Sequence, residues 1–209
     1  MPASRHHRSG FTLIELMVTL AVVVIVTLLA LPSFNAFRQR AALRAATDQV
    51  QSFWDQSRFE AAKRNQMVKV GVNTSGSYFC LGAATTTDPD DTTPCDCFTA
   101  NACNVATFPA VPTAAFDTQA EWRDVRFIVT GGTTPTLGGA DEAVAVIEPR
   151  RAGLASANPA AQAGVLTFAA PKLDYRLNFR VDQFGRGLVC ESNTATVNMS
   201  DYLQRKCAP

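Results

Sequence analysis

Two hydrophobic patterns follow each other in the first third of the chain. Residues 13–31 are almost continuously apolar, and only Glu15, Thr19 and Thr27 interrupt the run. An ideal helix over residues 11–31 is roughly 32 Å long at about 1.5 Å per residue, which is enough to cross a bilayer core. The first pattern therefore predicts a membrane-spanning helix over residues 11–31.

From residue 33 onward, apolar residues recur at steps of three and four, which predicts an amphipathic helix ending near residue 64. Pro32 separates the two patterns. It either kinks one continuous helix or follows a helix that ends at Leu31, and we favour the kink because the periodicity resumes at once. The predicted apolar stripe comprises Phe34, Phe37, Ala41, Ala45, Ala46, Val50, Phe53, Trp54 and Ala61.

After residue 64 the pattern changes to period two with β-branched and aromatic residues, which predicts strands. The clearest strand is 175–181, where apolar and polar side chains alternate. The predicted fold class is α+β, with a long N-terminal amphipathic and transmembrane helix packed on an antiparallel β-sheet domain. The predicted strands are 67–72, 77–81, 125–129, 143–147, 164–168, 175–181 and 187–190, with loops at 83–106, 131–142 and 149–163.

Composition limits the classes of function. The chain has 209 residues, of which 47% are apolar and 18% charged, so it can bury the core of one domain with appendages. The formal net charge is +1, which excludes binding of polyanions by bulk charge and leaves only a local basic patch.

Six cysteines occur, and none lies in the first 79 residues, which is typical of an exported domain with disulfides. Free thiols in a cytosolic protein are the alternative. A bridge between Cys190 and Cys207 would close a loop of about 18 residues and contribute about 3 kcal/mol. Two further bridges are expected among four cysteines whose pairing stays open: Cys80, Cys95, Cys97 and Cys103.

Glu15 is the residue that a plain membrane anchor or an ordinary secretory signal leaves unexplained. A carboxylate near a bilayer centre costs roughly 2.5–3.5 kcal/mol on insertion scales, and less near an interface. Glu15 therefore needs a partner. Arg5 and Arg8 precede the run, and such basic residues favour a cytoplasmic location for that end.

The hexapeptide from Gly10 to Glu15, Gly-Phe-Thr-Leu-Ile-Glu, resembles the prepilin peptidase motif of type IV pilins and type II secretion pseudopilins. The resemblance implies cleavage by prepilin peptidase between Gly10 and Phe11, followed by N-methylation of Phe11. The new amine would pair with Glu15 of its own or a neighbouring subunit, because attraction between charges is stronger in low dielectric. Glu15 would thereby set the register of a helical assembly.

The resemblance also implies an organisation and a location. Residues 1–10 are the cleaved leader, residues 11–64 the N-terminal helix, and residues 65–209 a periplasmic β-rich domain. The chain would cross the inner membrane once, and would then join other pilins or pseudopilins through its N-terminal helix in a pilus or pseudopilus.

The helix end at residues 57–66 resembles the GspH/FimT branch, whose pattern Glu60, Ala61, Lys63 and Arg64 match. This implies a minor type IV pilin of a pilus or its initiation and tip complex. The alternative is a type II secretion minor pseudopilin. Some FimT-type pilins bind DNA through a basic carboxy-terminal motif that contains a Gly-Arg pair. The segment Gly185–Gly187 contains such a pair, and it is interpreted either as a DNA-binding motif or as a simple glycine turn. The candidate DNA contacts are Arg176, Arg180, Arg186, Arg205 and Lys206.

Motifs for catalysis are not found, so we expect no enzyme, no cofactor and no metal site. Both histidines, His6 and His7, lie in the removable leader. The acidic run at residues 88–91 does not have the ligand spacing of an EF-hand, which favours a solvated loop.

Overall fold

The computed structural model describes residues 11–75, 78–91, 93–108, 126–128, 144–155, 164–170, 175–182, 184–193, 195, 199 and 207. Helix α1 runs from Leu13 to Arg64. The chain divides into two compact units between Arg38 and Gln39, so the second part of α1 groups with the strands.

The first unit contains α1 up to Arg38. The helix is continuous through Pro32, which excludes an end at Leu31, while the kink stays a prediction. Within the part of the chain that the structure describes, no helix has an apolar stretch long enough to cross a membrane.

The end of α1 follows from local backbone chemistry. The backbone N–H of Gln66 donates to the carbonyl of Ala61 at 3.2 Å, and that of Asn65 donates to Ala62 at 3.3 Å. Asn65 has φ 51°, a left-handed conformation that asparagine tolerates better than most residues. These two bonds form a Schellman motif, which satisfies carbonyls in the last turn and directs the chain into the first strand.

Within the described residues, two four-stranded antiparallel sheets follow the helix, which confirms the predicted α+β fold class. The first sheet has the order β3-β2-β1-β5 and the second the order β4-β6-β7-β8. The strands are β1 Met67–Ser75, β2 Tyr78–Thr86, β3 Ala106–Phe108, β4 Arg126–Ile128, β5 Val144–Ile147, β6 Gly164–Ala170, β7 Tyr175–Val181 and β8 Gly187–Glu191.

The main errors in the predicted strands concern the first sheet. Strand β2 continues to Thr86 and pairs with β1 over its whole length, although residues 83–86 were expected to be a loop. Strand β3 was not predicted, and its three residues pair with residues 81–83 of β2. Both segments are rich in alanine and threonine, and pairing with neighbouring strands stabilises them despite a weak local pattern.

The core of the second unit lies between α1 and the inner faces of both sheets. In β7, the alternating burial of Tyr175, Leu177, Phe179 and Val181 confirms the predicted inner face. The largest buried helix residue is Trp54, which is 1% exposed. From α1 the core takes Leu43, Ala46, Val50, Phe53, Trp54 and Ala61, and from β1 it takes Val68, Val70 and Val72.

The predicted apolar stripe of the helix was wrong at its beginning. Phe34 and Phe37 are more than half exposed, and Ala41 and Ala45 are also exposed. The buried face instead includes Leu43, which was not in the predicted stripe. Each residue turns an α-helix by about 100°, so the two phenylalanines lie outside the face defined by the later residues.

Two turns meet at the side of α1 and join the ends of the two sheets. The indole Nε1 of Trp54 donates to the carbonyl of Gly185 at 3.0 Å. The Nε of Arg58 donates to the carbonyl of Ala152 at 2.9 Å. Gly185 follows β7, and Ala152 follows β5, so neighbouring turns of one helix hold a loop from each sheet.

Gly187→Ala tests the packing at this junction. A Cβ at residue 187 would lie 2.8 Å from the ring of Phe179 and 3.1 Å from that of Trp54. Because both rings are buried, we expect the free energy of unfolding to fall by about 1–3 kcal/mol. Leu188→Ala, at an exposed neighbouring position, should change it by less than about 0.5 kcal/mol. Urea unfolding of the detergent-solubilised protein, followed by circular dichroism, compares the two; equal losses would contradict the packing argument.

Candidate functional site

Two of the predicted site residues lie at the start of α1: Phe11 precedes the helix, and Glu15 is in its first turn. The backbone N–H of Glu15 donates to Oγ1 of Thr12 at 3.3 Å, and the N–H of Leu16 donates to the Thr12 carbonyl at 3.2 Å. Thr12 is therefore the N-cap and Glu15 the third helical residue, where the helix dipole favours a carboxylate. This arrangement places the charge of Glu15 about one turn from Phe11.

The other polar side chains of the apolar run bond to their own helix. Oγ1 of Thr19 donates to the carbonyl of Leu16 at 2.9 Å, and Oγ1 of Thr27 donates to those of Val23 and Val24 at the same distance. These hydroxyls are satisfied without water, as an apolar environment requires. Glu15 differs because its side chain is a carboxylic acid, which can carry a formal charge.

The apolar side chains of this segment are exposed throughout the described part. From Phe11 to Leu28 the large ones are 53–80% accessible. An exposed apolar surface of this extent marks a protein–protein or membrane contact. Gly10, the predicted residue before the cleavage site, lies outside the described residues, as do Arg205 and Lys206.

Comparison with protein families addresses this same segment. Residues 5–31 match the prokaryotic N-terminal methylation motif. The methylation motif supports the pilin-like superfamily, and it indicates processing by prepilin peptidase, membrane anchoring and assembly with other pilins. No curated protein and no solved structure matches the chain. The methylation motif distinguishes neither the GspH/FimT branch nor a pilus from a secretion system.

The β7–β8 hairpin contains the central candidate for a DNA contact, Arg186. Oδ1 of Asp182 accepts the backbone N–H groups of Phe184 and Arg186 at 2.9 and 2.8 Å, and Oδ2 accepts Nε of Arg186 at 2.8 Å. The Arg186 guanidinium also lies 5.5 Å from the centre of the Phe184 ring. Gly185, at φ 73°, supplies the left-handed residue of the turn. Arg186 is thus paired within its own hairpin.

The pKa of Asp182 reflects these contacts. Partial burial raises the pKa, but the hydrogen bonds from Arg186 and from the Phe184 backbone outweigh burial, so the pKa lies below its usual value. The carboxylate therefore stays ionised near neutral pH and neutralises Arg186. Arg176 and Arg180 lie on the outer face of β7, six and two residues before Asp182.

The structure joins all six cysteines in three disulfides. Cys190 pairs with Cys207, and the other bridges are Cys80–Cys97 and Cys95–Cys103. In the acidic run, Oδ2 of Asp91 accepts Nζ of Lys69 at 2.9 Å, so this carboxylate holds a lysine. Among the described residues, no cluster could hold a metal ion.

Three residues important to these sites were not singled out from the sequence. The capping role of Thr12 was readable, since Thr-x-x-Glu before an apolar run is the signature of a capping box. Asp182 had no such signal, and neither had Gly82, where a Cβ would collide with the sulfur atoms of the Cys95–Cys103 bridge. Their roles depend on partners brought together by the hairpin turn and by the disulfides.

The contribution of Asp182 should depend on pH. Because its pKa is lower in the folded chain, its stabilisation is fully present above the unfolded pKa of about 3.9 and is lost as pH falls through the folded value. Asp182→Asn should therefore lower the free energy of unfolding by roughly 1–2 kcal/mol at pH 7, and by less at about pH 3. Urea unfolding at both pH values measures this, with Asp48→Asn on the exposed helix face as control. Equal losses at both pH values would contradict the assignment.

Proposed function

We propose that this chain is a minor type IV pilin subunit, which prepilin peptidase cleaves between Gly10 and Phe11 and which is N-methylated at Phe11. It then assembles into a pilus or into the complex that initiates the pilus or forms its tip. The methylation motif over residues 5–31 is the observation that carries the proposal. Pilin-like proteins are structural rather than catalytic, so assembly is the activity that the proposal addresses.

The geometry of the first turn supports an assembly role for Glu15. Thr12 caps the helix, and Glu15 lies in the first turn, about one turn from the amine that cleavage would create at Phe11. The apolar side chains around it are exposed and available to lipid or to neighbouring helices. A charge pair in such surroundings resists displacement by water and favours one axial register between subunits.

Residues 11–31 are proposed as the membrane span and residues 65–209 as a periplasmic domain, with residues 1–10 as the leader. Three disulfides in the folded domain support an oxidising compartment for it.

A type II secretion minor pseudopilin of the GspH kind is the alternative assembly, because it would use the same processing site and the same helix. Neighbouring genes for minor pilins or for a secretion apparatus would distinguish the two. DNA binding is not included in the proposal, since Asp182 neutralises Arg186 within the hairpin.

Gly10→Val tests the processing site. A branched side chain before the cleaved bond should be excluded by a peptidase pocket shaped for glycine, so the precursor should accumulate uncleaved in the membrane. Intact-mass spectrometry measures the amino terminus, and Ser9→Ala is the control that should be processed normally. A mature start at a residue other than Phe11 in the unmodified chain would contradict the proposal.

Glu15→Ala tests the assembly charge separately from processing. We expect normal cleavage but strongly reduced incorporation into filaments, because the amine of Phe11 loses its partner. Thr19→Val is the matched control, since the Thr19 hydroxyl bonds only within its own helix in the described structure and its loss should spare incorporation. Immunodetection in sheared filament fractions provides the measurement. Incorporation of Glu15→Ala at the level of Thr19→Val would exclude a register role.

A further inference from the structure

A second buried cluster covers the outer face of the first sheet, on the side opposite α1. It consists of Cys80, Ala84, Cys95, Cys97 and Cys103, with Phe98 partly buried against it. Apart from the cysteines, the cluster therefore contains one alanine and one half-buried aromatic ring. Residues 87–91 and 93–105 supply the covering layer, and we call them the strap.

Both bridges of this cluster contain strap cysteines. Cys80–Cys97 joins it directly to β2, and Cys95–Cys103 closes a short loop within it. Gly82 lies on the same face of β2 as Cys80. A Cβ at residue 82 would collide with the Sγ atoms of Cys95 and Cys103, so the second bridge rests directly on the glycine.

Among the described residues, the other contacts of the strap with the first sheet are mainly hydrogen bonds and one ion pair, and Val105 at the end of the strap packs against the main core. Lys69 of β1 pairs with Asp91 at 2.9 Å, and the side chain of Asn73 donates to the carbonyl of Cys95 at 2.5 Å. Asn104 bonds to both the backbone N–H and the hydroxyl of Thr85. Single polar contacts of this kind contribute little net stability, and the apolar area is small. Cys80–Cys97 is therefore the covalent attachment of the strap to the sheet, while Cys95–Cys103 holds the loop of the strap in the shape that rests on Gly82.

We propose that the strap is a redox-controlled cover, which closes over the outer face of the first sheet when its two disulfides form and opens when they are reduced. The main core stays folded in both states, because its helix and strand residues form a separate cluster without cysteine. Reduction of each bridge takes two electrons and two protons and yields two thiols. A dithiol reductant supplies them and becomes a cyclic disulfide.

Burial predicts the order in which the three bridges react. Attack by a thiolate requires access to a sulfur atom. Cys207 is partly exposed, Cys95 and Cys103 are each 8% exposed, and Cys80 and Cys97 are at most 1% exposed. The tail bridge should be reduced first, the bridge over Gly82 second, and Cys80–Cys97 last.

Because the bridges react in this order, an experiment can distinguish opening of the strap from reduction of a disulfide elsewhere in the chain. Reduction of the tail bridge alone should leave the strap closed, while reduction of the last bridge should release it. In a cell, the chain would carry an open strap until it meets an oxidising compartment, where disulfides form and persist. The property belongs to the purified chain and does not depend on filament assembly, so its failure would leave the proposed function untouched.

Chymotrypsin cleavage at Phe98 reports on the strap, since residues 87–105 contain no other aromatic residue and no leucine or methionine. The full-length chain in detergent is treated with dithiothreitol, and samples are alkylated, digested briefly and analysed by mass spectrometry. We expect cleavage at Phe98 to accelerate roughly tenfold or more after both strap bridges are reduced. The far-ultraviolet circular dichroism should be retained.

Two double variants provide the matched comparison. Cys80→Ser with Cys97→Ser should be cut at Phe98 faster even without reductant, whereas Cys190→Ser with Cys207→Ser should keep the protection of the unmodified chain. Gly82→Ala should leave Cys95 and Cys103 as alkylatable thiols, because the added Cβ occupies the space of their bridge.

Three outcomes would overturn the proposal. One is continued protection of Phe98 in a chain whose thiols are all alkylated after reduction. The second is exposure of Phe98 on reduction of the tail bridge alone. The third is loss of the circular dichroism spectrum together with strap release in the unmodified chain, which would mean that the bridges hold the whole fold. The reduction series on the unmodified chain decides the matter if a variant fails to fold.

Discussion

The fold depends on one packing constraint, which is that a single face of α1 buries the inner faces of two separate sheets. Trp54 shows how it works, since its ring lies in the core while its Nε1 bonds to Gly185 beyond β7. Arg58, one turn later, bonds to Ala152 beyond β5. Burying large apolar side chains contributes about 1.5–3 kcal/mol each. The helix is therefore both a wall of the core and the element that relates the ends of both sheets.

The outer faces and edges of the two sheets must be covered in another way, because most large apolar side chains of the strands face the core. On the first sheet the strap supplies a cover made largely of cysteine. Beside the second sheet, the carboxy-terminal tail closes against edge strand β8: Met199 is buried in the core, and the backbone N–H of Cys207 donates to the carbonyl of Glu191 at 3.1 Å. The Cys190–Cys207 bridge fixes that return. Covalent links thus stabilise surfaces that bury too little apolar area to hold themselves.

The N-terminal segment and the globular domain present different kinds of surface. The apolar segment that begins at Phe11 exposes its large side chains and carries one charge, Glu15, in a capped first turn. The globular part pairs some of its charges internally, as Lys69–Asp91 and Arg186–Asp182 illustrate. The segment that matches the methylation motif therefore presents an apolar surface, while the four charged side chains of these two pairs are held within the domain.

The sequence alone was sufficient for the features that depend on neighbours along the chain. Hydrophobic period predicted α1, the alternation of β7 and the α+β class, and six contiguous residues from Gly10 indicated the processing motif. Three decisions needed the tertiary structure: the pairing of Cys80 with Cys97, the burial of Leu43 in place of Phe37, and the capture of Arg186 by Asp182. Six cysteines allow fifteen pairings, and the composition and spacing of the sequence are the same for all of them. Only the strand register and the packed helix bring particular sulfurs, faces and charges close together, because these contacts depend on distance in space.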